Sequence, residues 1–169
     1  MDLRSRQAPI KEQYKADPEA ALITLRAEAR QGETATACSI DIGRAMYDAQ
    51  AHAGVGGAGT AACSGDLLLG ALAACAQITC QMVAESTGVP LRRVDVTVEG
   101  DLDLRGTLAV ARRAPVGFAA IRTRFEIDAP TATDEQIERL KRSTEAYCTV
   151  LQTLTTPPPI ETAWTRSQG

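Results

Sequence analysis

Aromatic residues are scarce in this chain: one Trp, three Tyr and two Phe among 169 residues. A core must therefore be built from Ala, Leu, Val and Ile. Histidine is rarer still. His52 is the only one, and no Cys-x-x-Cys or His-x-x-x-His spacing occurs, so a metal site of short-spaced ligand pairs is not expected. No charge of one sign dominates: 18 Lys and Arg against 21 Asp and Glu leave a net charge of -3. The basic residues are scattered, which argues against nucleic acid or an anionic membrane as partner. No uninterrupted apolar run approaches the ~18 residues of a membrane span. Behind Met1-Asp2-Leu3-Arg4-Ser5-Arg6 there is no apolar stretch, so no signal peptide is read and a cytoplasmic location is expected.

What is present fits one domain over residues 1–169. At 44% hydrophobic and 23% charged residues, the composition is globular. Residues 1–18, polar and holding Pro9 and Pro18, read as an extended arm. Ala20–Ala29 suits a strand, Arg30-Gln31-Gly32-Glu33 a turn, and Ala35–Ile42 a partner strand in an antiparallel hairpin. A short third strand is placed at Ala45–Ala49. The glycine-rich Gly54–Gly59 lacks the Lys-Ser/Thr of a phosphate loop and the dinucleotide fingerprint, so it reads as a connector and no cofactor is expected.

Ser64–Glu85 reads as one long helix, with Ser64 as N-cap, Asp66 at the positive end and Gly88 after the last turn. Its first three turns are apolar on nearly every face, as in a helix buried in a core or between subunits. Leu91–Asp103 and Gly117–Ala129 alternate as two half-buried strands, with a basic loop at 106–115 between them. Thr133 and Gln136 form a capping-box pattern opening a second helix to about Tyr147. Ile160–Arg166 reads as a last strand. The order of elements is α+β.

Five cysteines, Cys38, Cys63, Cys75, Cys80 and Cys148, are packing residues or reactive thiols in a reducing compartment. Periodicity alone treats Cys75, amid Ala73-Ala74-Cys75-Ala76, as a small buried hydrophobe. Cys148, at a helix-to-loop junction, reads either way. Cys38, Cys63 and Cys80 read as packing.

Three segments resemble the OsmC/Ohr family. Ser64-Gly65-Asp66-Leu67-Leu68-Leu69-Gly70-Ala71-Leu72-Ala73-Ala74-Cys75 is similar to its core-helix opening with the first catalytic cysteine. Gly117-Phe118-Ala119-Ala120-Ile121 is similar to its Gly-Phe strand start. Ala146-Tyr147-Cys148-Thr149-Val150-Leu151-Gln152-Thr153-Leu154 is similar to its second-cysteine segment. The match runs from about Ala20 to Ala163. The family's helix-opening and Cys-Pro prolines are replaced by Ser64-Gly65 and Thr149.

The resemblance implies an intertwined homodimer, with curved antiparallel sheets packed on a long central helix. It also implies reduction of small organic hydroperoxides at the dimer interface, through a sulfenic acid and then a Cys75–Cys148 disulfide reopened by an external dithiol. It implies an arginine that activates the first thiol and a carboxylate that holds the arginine. Arg30, in Arg30-Gln31-Gly32, matches the arginine, with Arg26 and Arg44 as alternatives. The acid of the peroxidase branches falls at Gly65, and Asp66 follows one residue later. Two other functions stay open: an OsmC-fold thiol protein that binds a small ligand or senses oxidants, and a cysteine hydrolase using His52 as base.

Overall fold

In the computed structural model, residues 3–17, 20, 22, 24, 28–31, 37–41, 45–109 and 111–166 are described, with the backbone alone for 3–6, 15, 28–31 and 37–41. A helix, α1, spans Leu3–Ala16, so the extended arm expected over 1–18 is corrected there. Pro9 lies inside it and forfeits one backbone bond, but the surrounding Arg, Gln, Ala, Lys and Glu are good helix formers.

Strands β1 (Glu28–Gln31), β2 (Ala37–Asp41) and β3 (Met46–Gln50) form an antiparallel sheet in that order. The expected hairpin and short third strand are both there. The first strand is displaced from the expected Ala20–Ala29: Ala20, Leu22 and Thr24 are not in a strand, and β1 instead enters the expected turn, with Arg30 opposite Ser39 and Gln31 opposite Cys38, where β2 supplies a hydrogen-bonded partner. The stretch at 32–36 that joins the two strands lies outside the described residues.

The central helix, α2, spans Ser64–Thr87. Its N-cap is Cys63, not the expected Ser64. Asp66, three residues on, accepts from the Cys63 amide at 2.9 Å, the reciprocal bond of a capping box whose cap lies one residue before the expected one. Gly88 ends the helix at φ 72, a left-handed conformation that favours glycine. By length and composition α2 is apolar enough to cross a membrane, with a mean hydropathy of 1.8 over 18 residues. Counting uninterrupted apolar residues misses this, because Gln77, Thr79 and Gln81 break the run without lowering its average far. Here α2 packs against the strand and helices that follow it in sequence.

That strand and its partner are β4 (Arg93–Leu102) and β5 (Phe118–Asp128), paired antiparallel with Val94 opposite Ile127 and Val96 opposite Phe125. Their apolar face covers α2, and their other face is a charged ladder that includes Arg122 bridging Asp101 and Glu99. Close packing is visible at Gly100, where a Cβ would come within 2.5 Å of the Phe118 ring. Between the strands lies a short helix, α3 (Leu104–Thr107).

Helix α4 (Asp134–Tyr147) opens with the Thr133–Gln136 capping box, and α5 (Thr149–Thr155) follows with only Cys148 between them. The expected strand at Ile160–Arg166 is corrected: the chain has no regular structure from Pro157 to Arg166, with Ile160 84% and Trp164 95% exposed. A strand needs a hydrogen-bonded neighbour, and none among the described residues lies beside it.

Along α2 the residues Leu72, Ala76, Cys80 and Ala84 recur every four positions and are all buried. They divide into two adjoining clusters. One holds Cys80, Val83, Ala84, Val89, Val94 and Leu140; the other holds Leu72, Ala76 and Cys148. Val96 and Phe125 pack against both. Leu140→Ala should cost about 3 kcal/mol, since it removes a fully buried side chain from the first cluster and leaves a cavity. Urea denaturation at fixed protein concentration measures this; a loss below ~1 kcal/mol would show that Leu140 does not hold α4 on α2.

Candidate functional site

Cys148 occupies a peculiar place. It is both the C-cap of α4 and the N-cap of α5. Its amide still bonds back to the Thr144 carbonyl at 2.9 Å, and its carbonyl already accepts from the Gln152 amide at 2.9 Å. Gln152 Nε2 ties the second helix to the first by donating to the Glu145 carbonyl at 2.9 Å. The chain thus bends at Cys148 while both helices keep their bonds, and the side chain is driven inward to 0% exposure.

There it meets Cys75, 148 − 75 = 73 residues earlier in the chain. The two thiols are in contact and unbonded, both free cysteines. Cys75 is half-buried at the edge of the α2 stripe.

The contact is asymmetric. Burial pushes the Cys75 thiol up, but the Val150 amide, the Cys148 thiol, the Thr79 hydroxyl and the Thr149 amide together outweigh it, and its pKa is lowered. Thr79, one turn on, has its Oγ1 4.0 Å from the Cys75 sulfur. For Cys148, burial comes first and raises the pKa. The Leu151 and Val150 amides pull it partly back, the Cys75 sulfur pushes it up again, and the net shift is upward. Cys75 is therefore the more readily ionised thiol of the pair and Cys148 the less, the order that an attacking and a resolving thiol need.

Asp66 is held elsewhere. It lies nine residues before Cys75, about 13.5 Å along the axis and turned to the opposite face of α2. Its carboxylate is kept below the usual range by the Cys63 amide first and the Cys63 thiol second, with His52 adding to the effect. Within its own chain Asp66 is a helix cap and does not reach Cys75. Arg30 is placed by backbone only, in β1 opposite Ser39. Its side chain, like Arg26 and Arg44 altogether, lies outside the described residues.

The other cysteines stand apart. Cys63 is twelve residues before Cys75, about 18 Å along the helix. Cys80 belongs to the other cluster, where burial raises its pKa and the Thr144 side chain opposes this. The backbone of Cys38 lies in β2 and its side chain outside the description.

His52 shares a recess with Cys63 and Asp66, an arrangement that on paper suits a hydrolase. Its Nδ1, however, accepts from the Gly54 amide at 3.0 Å. That leaves the neutral ring's proton on Nε2, where a base would need a lone pair. Among the described residues no group of three His, Cys, Asp or Glu side chains could hold a metal ion.

The sequence reading did not anticipate Thr79 or the amides of Thr149 and Val150. A threonine four residues after a helical cysteine shares its face, which was a usable signal; the two amides are set only by the tertiary bend at Cys148. Thr79→Val keeps the shape and removes the hydroxyl, so it should move the pH midpoint of Cys75 alkylation upward and slow alkylation below that midpoint, while Thr79→Ser restores both. Iodoacetamide labelling followed by peptide mapping measures it. An unchanged midpoint in Thr79→Val would remove Thr79 from the account.

This geometry meets an independent comparison. A family described as OsmC-like protein matches residues 57–163, more than half the chain. No curated protein matches the sequence. Among solved structures, an OsmC-like protein from Mycoplasma pneumoniae superposes with a TM-score of 0.65 at 15% identity, covering 80% of this chain and 89% of that one. An organic hydroperoxide resistance protein OsmC from Legionella pneumophila gives 0.58 at 20%, covering 80% and 91%. An organic hydroperoxide resistance protein from Elizabethkingia anophelis gives 0.60 at 19%, also covering 80% and 91%. At these identities the structures establish a shared fold, and with the match over 57–163 the chain belongs to the OsmC-like protein family.

Proposed function

We propose that this protein reduces organic hydroperoxides, with Cys75 as the attacking and Cys148 as the resolving thiol. The observation that carries the reading is the contact between two free thiols shifted in opposite directions. The Cys75 thiolate attacks one peroxide oxygen: the S–O bond forms, the O–O bond breaks, and the alkoxide leaves as the alcohol after taking a proton. The Cys148 thiol then attacks the sulfenic sulfur, forming the disulfide and releasing water. An external dithiol supplies two electrons and two protons to reopen it. The names of the Legionella and Elizabethkingia proteins support a hydroperoxide role for neighbours of this fold. Arg30 is the proposed cation beside Cys75.

The same reading includes a homodimer. On α2, Leu68, Ala71, Cys75, Ile78 and Met82 follow a 3-4-3-4 spacing, and all but the half-buried Cys75 are exposed. That is the seam of two packed helices. The chain exposes 13007 Å², where a compact monomer of 17.9 kDa should expose about 8,000 Å². A second copy on this seam would enclose Cys75 and give the apolar side chains a partner. Light scattering should return twice 17.9 kDa; a monomer alone at micromolar concentration would contradict this.

A second reading, a thiol protein that senses oxidants or binds a small ligand without rapid turnover, is favoured by one feature: every described group that lowers Cys75 is neutral. Cysteine variants and turnover assays separate the two. Cys148→Ser should complete one turnover with an organic hydroperoxide and accumulate a trappable sulfenic acid, whereas Cys75→Ser should consume none. Wild type with a dithiol should turn over many times; a stoichiometric reaction only would favour the sensor. A Cys75→Ser protein that still reacts, beside an inert Cys148→Ser protein, would reverse the roles.

A further inference from the structure

Between α4 and α5 the chain bends with neither proline nor glycine to force it: Tyr147, Cys148, Thr149 and Val150 are all residues that a helix can hold. Bends without those breakers usually mark a side chain inserted into the backbone ladder. The Glu145 carbonyl shows which side chain that is. In an uninterrupted helix it would accept from the Thr149 amide, four residues on. The preceding carbonyl keeps to that pattern, since Thr144 accepts from the Cys148 amide at 2.9 Å. Glu145 departs from it. Cys148 has a ψ of 102°, against about −42° in a helix, so the peptide that carries the Thr149 amide is turned away. The Glu145 carbonyl accepts instead from Gln152 Nε2 at 2.9 Å.

Glu145 and Gln152 are seven residues apart, about two turns of straight helix. Their bond therefore belongs to the bent chain, and a bond made in one of two arrangements favours that arrangement. Packing draws α5 down as well, with Val150, Leu151 and Leu154 against the cluster of Leu72, Ala76 and Cys148. Burial of apolar surface is non-directional, however. It does not decide which donor the Glu145 carbonyl takes. A backbone acceptor needs a donor, and its ordinary helical donor is the Thr149 amide. Gln152 fills that place, and the Thr149 amide is left to face Cys75.

We propose that Gln152 is a positioning residue for the thiol pair: its side-chain amide replaces the Thr149 amide on the Glu145 carbonyl and so leaves that amide directed at the Cys75 sulfur. Gln152 acts through Thr149, not on the sulfur itself. The inference rests on Cys75 being the attacking thiol of the proposed cycle, but its test needs no peroxide.

The test is the pH profile of Cys75 alkylation by iodoacetamide in the full-length protein, followed by peptide mapping. Gln152→Met keeps the length of an exposed side chain and removes its donor. It should move the midpoint upward and slow alkylation below the midpoint about threefold, the effect of one net hydrogen bond. Thr153→Val removes a hydroxyl bond to the Thr149 carbonyl within α5 and should leave the profile unchanged. Thr149→Pro fixes the bend covalently and deletes the amide; Cys148 already has the extended backbone that precedes a proline. This variant should raise the midpoint too, and adding Gln152→Met to it should change nothing more, because both substitutions remove the same donor from Cys75. Circular dichroism checks folding, and Gln152→Met with Thr153→Val carries the test if Thr149→Pro is not folded. An unchanged midpoint in Gln152→Met, an equal shift in Thr153→Val, or a further shift in the double variant would each overturn the role of Gln152. Hydroperoxide turnover is measured separately: a raised midpoint in Gln152→Met, beside a wild type that reduces no hydroperoxide, would sink the peroxidase reading and uphold the positioning role.

Discussion

The structure depends on one burial event. Helix α2 must remove Leu72 and Ala76 from water, and the bend between α4 and α5 closes over them. Because Cys148 is the bend, its side chain is the one pressed onto that patch. Cys75 is next to Ala76 on the helix and three residues from Leu72, so covering those two brings the sulfurs together. Nothing local in the chain pairs them; the apolar stripe does. The same bend turns the first amides of α5 toward Cys75 and the Leu151 amide toward Cys148. One packing decision thus sets position, exposure and electrostatics at once.

Neutral groups carry that electrostatic bias. An amide aimed at a sulfur favours the anion without introducing a counter-charge that itself must be solvated. Burial works against both thiols, and the outcome turns on how many donors each sulfur receives. Cys75 receives the Val150 and Thr149 amides, the Thr79 hydroxyl and the Cys148 thiol; Cys148 receives the Leu151 and Val150 amides, and its Cys75 neighbour works against its ionisation. A cation such as Arg30 would act in the same direction as these donors.

Much of this was legible in the sequence where local chemistry dictates the outcome. The apolar run after Ser64, the alternation through Val94, Val96 and Val98, and the Thr133–Gln136 pair each specify their element without outside help. The family resemblance supplied the pairing of Cys75 with Cys148, which periodicity could not. What escaped was decided by competition or by tertiary context. Cys63 displaced Ser64 as the cap because Asp66 sits three residues after it. Pro9 was outweighed by the helix formers around it. Ile160–Arg166 has strand-like residues but no strand beside it among the described residues. The displacement of β1 from Ala20–Ala29 to Glu28–Gln31, which carries Arg30 into the ladder, follows from pairing with β2 and is invisible in the turn-like Arg30-Gln31-Gly32.

The central claim is that Cys75 and Cys148 form one redox unit. It is tested most directly by mass spectrometry of the protein after one equivalent of an organic hydroperoxide. The account predicts loss of two hydrogens per chain and one cross-linked peptide pair joining Cys75 to Cys148, with Cys63 and Cys80 still alkylatable. A Cys75 sulfenic acid that persists beside a free Cys148, or a disulfide formed through any other cysteine, would contradict it.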